Sequence, residues 1–131
     1  MKRTLFVLAA VGLALSAGGA SAHHSYSMFD REKSLALTGT VVAFKWTNPH
    51  SWLELKVPNA KGGADTWGVE FGSPAVLVRA GWRASTLKPG DTVIVNVRPL
   101  RSGEFGGAFV SVQLPDGRVL TDKAPVAAPA A

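Results

Sequence analysis

No cysteine occurs anywhere in this sequence of 131 residues. The absence excludes disulfide bonds, thiolate metal sites, a cysteine nucleophile and a lipid-modified cysteine. Whatever domain the chain forms must therefore be stabilised by its hydrophobic core alone.

The common catalytic and phosphate-binding motifs are missing as well. The sequence has no Gly-x-Ser-x-Gly nucleophile motif, no phosphate-binding glycine loop and no His-Glu-x-x-His zinc motif. The net charge is +5, but from Arg31 to Lys123 the basic residues are scattered without a run of neighbours, so we expect no nucleic-acid partner. These absences favour a binding protein over an enzyme, and no catalytic residue is predicted.

Residues 1–22 have the pattern of a signal peptide. The basic pair Lys2-Arg3 precedes an apolar run from Leu5 to Leu15, and Ala20-Ser21-Ala22 supplies the small residues that signal peptidase requires. The run is shorter than the roughly 20 residues that span a membrane, so we expect no membrane anchor after cleavage. Cleavage after residue 22 predicts a periplasmic or secreted protein that begins at His23.

Alternating apolar and polar side chains predict an all-β domain over residues 35–120. A segment of residues 23–34 precedes the domain, and a disordered tail rich in Ala and Pro follows it over residues 121–131. One short helix, Pro74 to Ala80, is predicted between strands three and four. This order matches an OB-like five-stranded Greek-key barrel, with an open sandwich of the same strands as the alternative.

The phase of each alternation predicts which side chains face the core. In the first strand the inward phase changes from Leu37 and Val41 to Val42 and Phe44, and Gly39 is the expected site of a bend. The inward residues of the last two long strands are expected to be Val93, Val95 and Val97, followed by Ala108, Val110, Val112 and Leu114.

In the second and third strands, pairing Leu53 with Phe71 buries the apolar face of both. Glu54 and Glu70 then become exposed neighbours on the outer face, which is typical of surface carboxylates rather than of a catalytic acid/base pair. In this register Glu70 lies about 13 Å from His50. That separation makes Glu70 a poorer candidate ligand than the histidines.

His23, His24 and His50 are the three histidines of the chain. An N-terminal His23 offers both its ring and its α-amine, whose pKa is near 8, and nitrogen ligands suit Cu(II) in particular. The alternatives are a chance His-His pair at a frayed terminus and a turn histidine that hydrogen-bonds its loop. Residues 23–34 reach His50 only if they run back along the barrel in extended form.

Trp46 and Trp52 are the second set of candidate binding residues. Exposed tryptophans on a barrel face can stack on sugars or contact a partner protein, which predicts a periplasmic carbohydrate- or protein-binding module without metal. The alternative for both side chains is packing beneath the N-terminal segment or the loops.

Several short motifs resemble those of a family of small secreted proteobacterial proteins known only as a domain of unknown function. The resemblance implies no activity, substrate or cofactor, but it implies that the His-His start, the Asn-Pro-His turn and Glu70 are family features. The motifs are His23-His24-Ser25 with Met28-Phe29-Asp30, Trp46-Thr47-Asn48-Pro49-His50, Val69-Glu70-Phe71-Gly72-Ser73-Pro74, Gly81-Trp82-Arg83 and Leu87-Lys88-Pro89-Gly90-Asp91.

Export and cleavage can be tested by intact mass spectrometry of the protein recovered from the periplasm. We expect the mass of a chain that starts at His23, because signal peptidase cuts after a small-x-small pattern. Recovery of the full-length chain from the inner membrane would contradict this prediction.

Overall fold

The computed structural model describes residues 26–124. The predicted signal peptide, His23, His24 and the tail beyond residue 124 lie outside the described residues. Within them the chain forms six strands and one helix, in the order β1 (Leu35–Lys45), β2 (Trp52–Pro58), β3 (Ala64–Glu70), α1 (Pro74–Arg79), β4 (Thr92–Pro99), β5 (Gly106–Gln113) and β6 (Val119–Thr121).

The first five strands close into a barrel. Antiparallel pairing joins β3, β2, β1, β4 and β5 in that order, and parallel pairing of β3 with β5 completes the circle. The short β6 adds to β5 outside the barrel. The predicted OB-like barrel with a helix between strands three and four is therefore confirmed, and the open sandwich is wrong.

Strand β1 bends so that it can pair with both β2 and β4. A bulge leaves Val42 without a partner between Val41 and Ala43, and its side chain is 42% exposed. Past the bulge, Phe44 packs against the core. The predicted change of phase is confirmed, but Val42 is the bulged residue and not an inward one, because one extra residue reverses the alternation.

Three aromatic rings fill one end of the core. Phe71 and Phe109 stack with their ring centroids 4.1 Å apart, and Trp82 meets the ring of Phe109 edge-on at 5.4 Å. The indole nitrogen of Trp82 donates to the carbonyl oxygen of Thr121, which satisfies the polar group of a buried side chain. This contact holds β6 against the residues that follow α1.

The prediction of which β5 residues face the core was wrong for the first half of the strand. Phe109 is buried, whereas Ala108 and Val110 are only half-buried. Val97 pairs with Phe109 while Asn96 pairs with Ser111, so a bulge shifts the register between these pairs. The alternation therefore changes phase within the strand, as it does in β1.

The register of β2 and β3 differs from the prediction by two residues, because Leu53 pairs with Val69 and not with Phe71. The loop between the strands is shorter than expected. Asn59 closes it, since its backbone N–H donates to the carbonyl of Gly63 and its side-chain oxygen accepts from the N–H of Gly63. The pairing of the two strands consequently extends to Pro58 and Ala64.

Because β1 approaches β2 closely at Gly39, we expect substitution by alanine to affect stability differently at Gly39 and at Gly68. A Cβ atom at Gly39 would lie 2.5 Å from the carbonyl oxygen of Lys56, whereas a Cβ atom at Gly68 meets nothing within 4 Å. We expect Gly39→Ala to lower the free energy of unfolding by about 1–3 kcal/mol, the usual cost of overpacking. Gly68→Ala, the matched control, should be neutral or slightly stabilising. Equal losses in urea unfolding would contradict the assigned approach of the strands.

Candidate functional site

The turn between β1 and β2 delivers His50 to the end of the barrel. The hydroxyl of Thr47 donates to the carbonyl oxygen of His50 across this turn, at 2.9 Å. Beyond His50, the backbone N–H of Ser51 donates to Gly72 and the N–H of Phe71 donates to Ser51. These bonds extend the β2–β3 pairing and bring His50 beside the last residues of β3.

The imidazole of His50 is oriented by two acceptors on the neighbouring chain segment. Its Nδ1 lies 3.0 Å from the carbonyl oxygen of Phe71 and 3.5 Å from Oε1 of Glu70. A carbonyl oxygen can only accept, so Nδ1 carries the proton and donates it. In the neutral ring, Nε2 then holds the free lone pair, and this is the nitrogen available to a metal or a proton.

Glu70 is buried, with 8% of its surface exposed, and it contacts His50. The prediction of an exposed Glu70 paired with Glu54 was wrong, and so was the separation of about 13 Å from His50. In the observed register Glu70 pairs with Trp52, while Glu54 pairs with Gly68. Burial raises the pKa of the Glu70 carboxyl, and the neighbouring His50 partly offsets this effect.

The segment before β1 carries an aromatic ring to His50. Phe29 forms a β-bridge with Leu100, and the N–H of Asp30 donates to the carbonyl of Pro99 at 2.8 Å. The ring of Tyr26 then lies edge-on to His50, with the two ring centroids 6.3 Å apart. The N-terminal segment therefore lies against the end of β4 and reaches His50 through turns at residues 27–28 and 31–32, rather than in the extended form that was expected.

An open cleft of about 340 Å³ lies where these parts meet. Its walls combine aromatic rings with two carboxylates and the imidazole, and they include Tyr26, His50, Glu70, Ser73, Phe109 and Asp122. Over residues 26–124 no three His, Asp or Glu side chains are grouped closely enough to hold a metal ion. A metal at His50 would thus need ligands from outside this part of the chain.

The two candidate tryptophans have different surroundings. Trp46 is half-buried and packs against the core, and its ring meets Phe44 at 5.9 Å. Trp52 is 41% exposed on the outer face, directly opposite Lys45 in β1 and Glu70 in β3. Core packing therefore explains the position of Trp46, whereas the ring of Trp52 is accessible to a ligand.

Sequence reasoning missed Tyr26 and Asp122 as residues that line the cleft together with His50. Both lie in segments that flank the barrel, where no alternation of side chains predicts a position. The turn formed by Asn59 with Gly62 and Gly63 was the one local signal for the shorter hairpin, and hence for the place of Glu70.

The chain matches the model of a family of unknown function, DUF6152, over residues 10–109. The chain belongs to this family. The match agrees with the resemblance to a domain of unknown function, and it covers both His50 and Glu70. Comparison with curated proteins and with solved structures gives no match. No helix within residues 26–124 is long and apolar enough to span a membrane.

The raised pKa of Glu70 predicts a pH-dependent effect of removing its charge. Because ionisation of Glu70 costs more in the folded than in the unfolded protein, the contribution of this carboxyl to the stability of the wild type falls as the pH rises above its ordinary pKa of 4.5. Glu70→Gln removes this cost. The difference in free energy of unfolding between the variant and the wild type should therefore shift in favour of the variant as the pH rises from about 4 to about 6.

Urea unfolding at the two pH values measures this difference. Glu104→Gln is the control, because it removes the same charge from an exposed loop position. A difference between Glu70→Gln and the wild type that stays constant or shrinks with rising pH would contradict the burial cost.

Proposed function

We propose that the protein is exported, begins at His23 after cleavage, and binds a Cu(II)-type ion between its N-terminus and His50. The α-amine and the ring of His23 supply two nitrogens, and Nε2 of His50 supplies the third. His24 is the alternative ring ligand from the same terminus. The contact between the rings of Tyr26 and His50 is the main support for this proposal.

The length of the intervening chain supports this ligand set. His23 precedes Tyr26 by three residues, and three extended residues span at most about 10 Å. Since the rings of Tyr26 and His50 are in contact, the terminal amine is within reach of His50 without any change in the barrel. A histidine at the frayed end of a free tail would have no such neighbour.

The surroundings of His50 also suit a metal ligand. Histidines that bind metals commonly donate their other ring N–H to a carbonyl or a carboxylate, which fixes the ring and its tautomer. His50 has one acceptor of each kind near Nδ1, in Phe71 and Glu70. We therefore assign Glu70 a positioning role, and its buried negative charge favours a cation bound to the imidazole.

The choice of copper rests on the donor atoms. Amine and imidazole nitrogens suit Cu(II), Ni(II) and Zn(II) rather than Mg²⁺ or Ca²⁺, and Cu(II) has the highest affinity in this series. Asp122 lines the same cleft, but within residues 26–124 it forms no metal-binding group with His50 and Glu70.

A metal-free binding module remains the second candidate, because Trp52 exposes 41% of its surface on the outer face. In that case glycan or protein binding would survive a chelator and would be lost in Trp52→Ala. The contribution of Trp46 would be small, since this ring packs against the core.

Calorimetric titration with Cu(II) distinguishes the proposed site from a loose terminal chelate. One extra methionine before His23 converts the amine into an amide, so we expect affinity to fall by about tenfold or more. His50→Ala should weaken binding separately, because it removes a ligand from the barrel. Glu70→Gln should cost about tenfold, as loss of a positioning partner usually does.

The wild-type protein should also bind less tightly as the pH falls, because protonated nitrogens do not bind metal. Circular dichroism checks that each variant is folded. Equal affinity of the wild type and His50→Ala would contradict the proposal and leave the module with Trp52 as the better account.

A further inference from the structure

A second cleft, of about 670 Å³, opens beside the one at His50 and shares Phe109 and Asp122 with it. Three cationic side chains line this cleft, from three separate parts of the chain: Arg31, Arg98 and Lys123. Its apolar surface comes from Phe109 and Val110 of β5. We call it the basic cleft.

The positive charge of the basic cleft is not neutralised. Asp122 is the one carboxylate among its lining residues, and no salt bridge within residues 26–124 involves any of the three cations. A third cleft has equal numbers of acidic and basic residues, and there Arg118 pairs with Asp116 at 2.7 Å. Unmatched cations facing a cavity are the arrangement that binds anions.

Arg98 is held in place for this role. Its Nη1 donates to the carbonyl oxygen of Lys33 at 3.0 Å, which fixes the guanidinium at the cleft. Four of its five N–H donors are not used in this bond, and a planar guanidinium matches a carboxylate group in geometry.

We propose that the basic cleft binds a small organic anion with several carboxylate groups on an apolar body. Three cations against one carboxylate leave an excess of two positive charges for the ligand. The half-buried Val110 in the wall of the cleft favours an organic body over a small inorganic ion, because burying its remaining apolar surface adds to the binding. The ligand binds here without a metal, so this site goes beyond the function proposed for His50.

The test is titration of the metal-free protein starting at His23 with benzene-1,3,5-tricarboxylate, followed by ¹H–¹⁵N NMR. We expect shifts of the amide signals of Val110, Thr121 and their neighbours, which line the cleft. The double variant Arg31→Gln/Lys123→Gln should bind about tenfold more weakly, since hydrogen bonds to charged groups contribute on that scale. Inorganic phosphate should bind less tightly than the tricarboxylate.

The matched control is Lys56→Gln/Lys61→Gln, which removes the same charge from exposed positions on β2 and the loop after it. We expect this variant to keep its affinity within about twofold. Equal weakening in both double variants would overturn the proposal, because binding would then follow net charge alone. Absence of shifts at the cleft would overturn the proposal too. If phosphate bound as tightly as the tricarboxylate, the assignment of an organic body to the ligand would be overturned.

Discussion

The barrel closes through parallel pairing of β3 with β5, in a chain that has no disulfide to hold the two strands together. Glycines at the start of β5 allow its close approach to β4 and to Leu100 beside this closure. A Cβ atom at Gly106 would lie 2.7 Å from the side chain of Leu100, and one at Gly107 would lie 2.8 Å from the carbonyl oxygen of Arg98. The pairing ends at Glu70, so the closure of the barrel and the position of the buried carboxylate depend on the same contact.

Three separate parts of the chain meet at this end of the barrel. The turn before β2 supplies His50, the end of β3 supplies Glu70, and the segment before β1 brings Tyr26 through its bridge to Leu100. A metal held by His50 and the chain terminus would bind the folded protein more tightly than the unfolded one, because only folding brings His50 to the terminus. Binding would therefore stabilise the barrel, in proportion to the logarithm of the metal concentration.

The sequence allowed the barrel, the strand order and the helix to be predicted, because alternation and helix-capping signals are local. Positions that depend on the fit between strands were wrong, as the bulge at Val42 and the two-residue shift that places Glu70 show. His50 and Glu70 were both named as candidates, but their contact follows from the shorter hairpin. Tyr26 and Asp122 were missed because their positions arise from long-range packing that no local pattern records.

We propose that the mature N-terminus and His50 share one metal ion. Anomalous diffraction at the copper absorption edge, from crystals of the cleaved protein grown with Cu(II), tests it most directly. We expect one strong peak within bonding distance of Nε2 of His50 and of both nitrogens of His23, at about 2 Å from each. A peak on the terminal histidines alone, with His50 outside the coordination sphere, would contradict it.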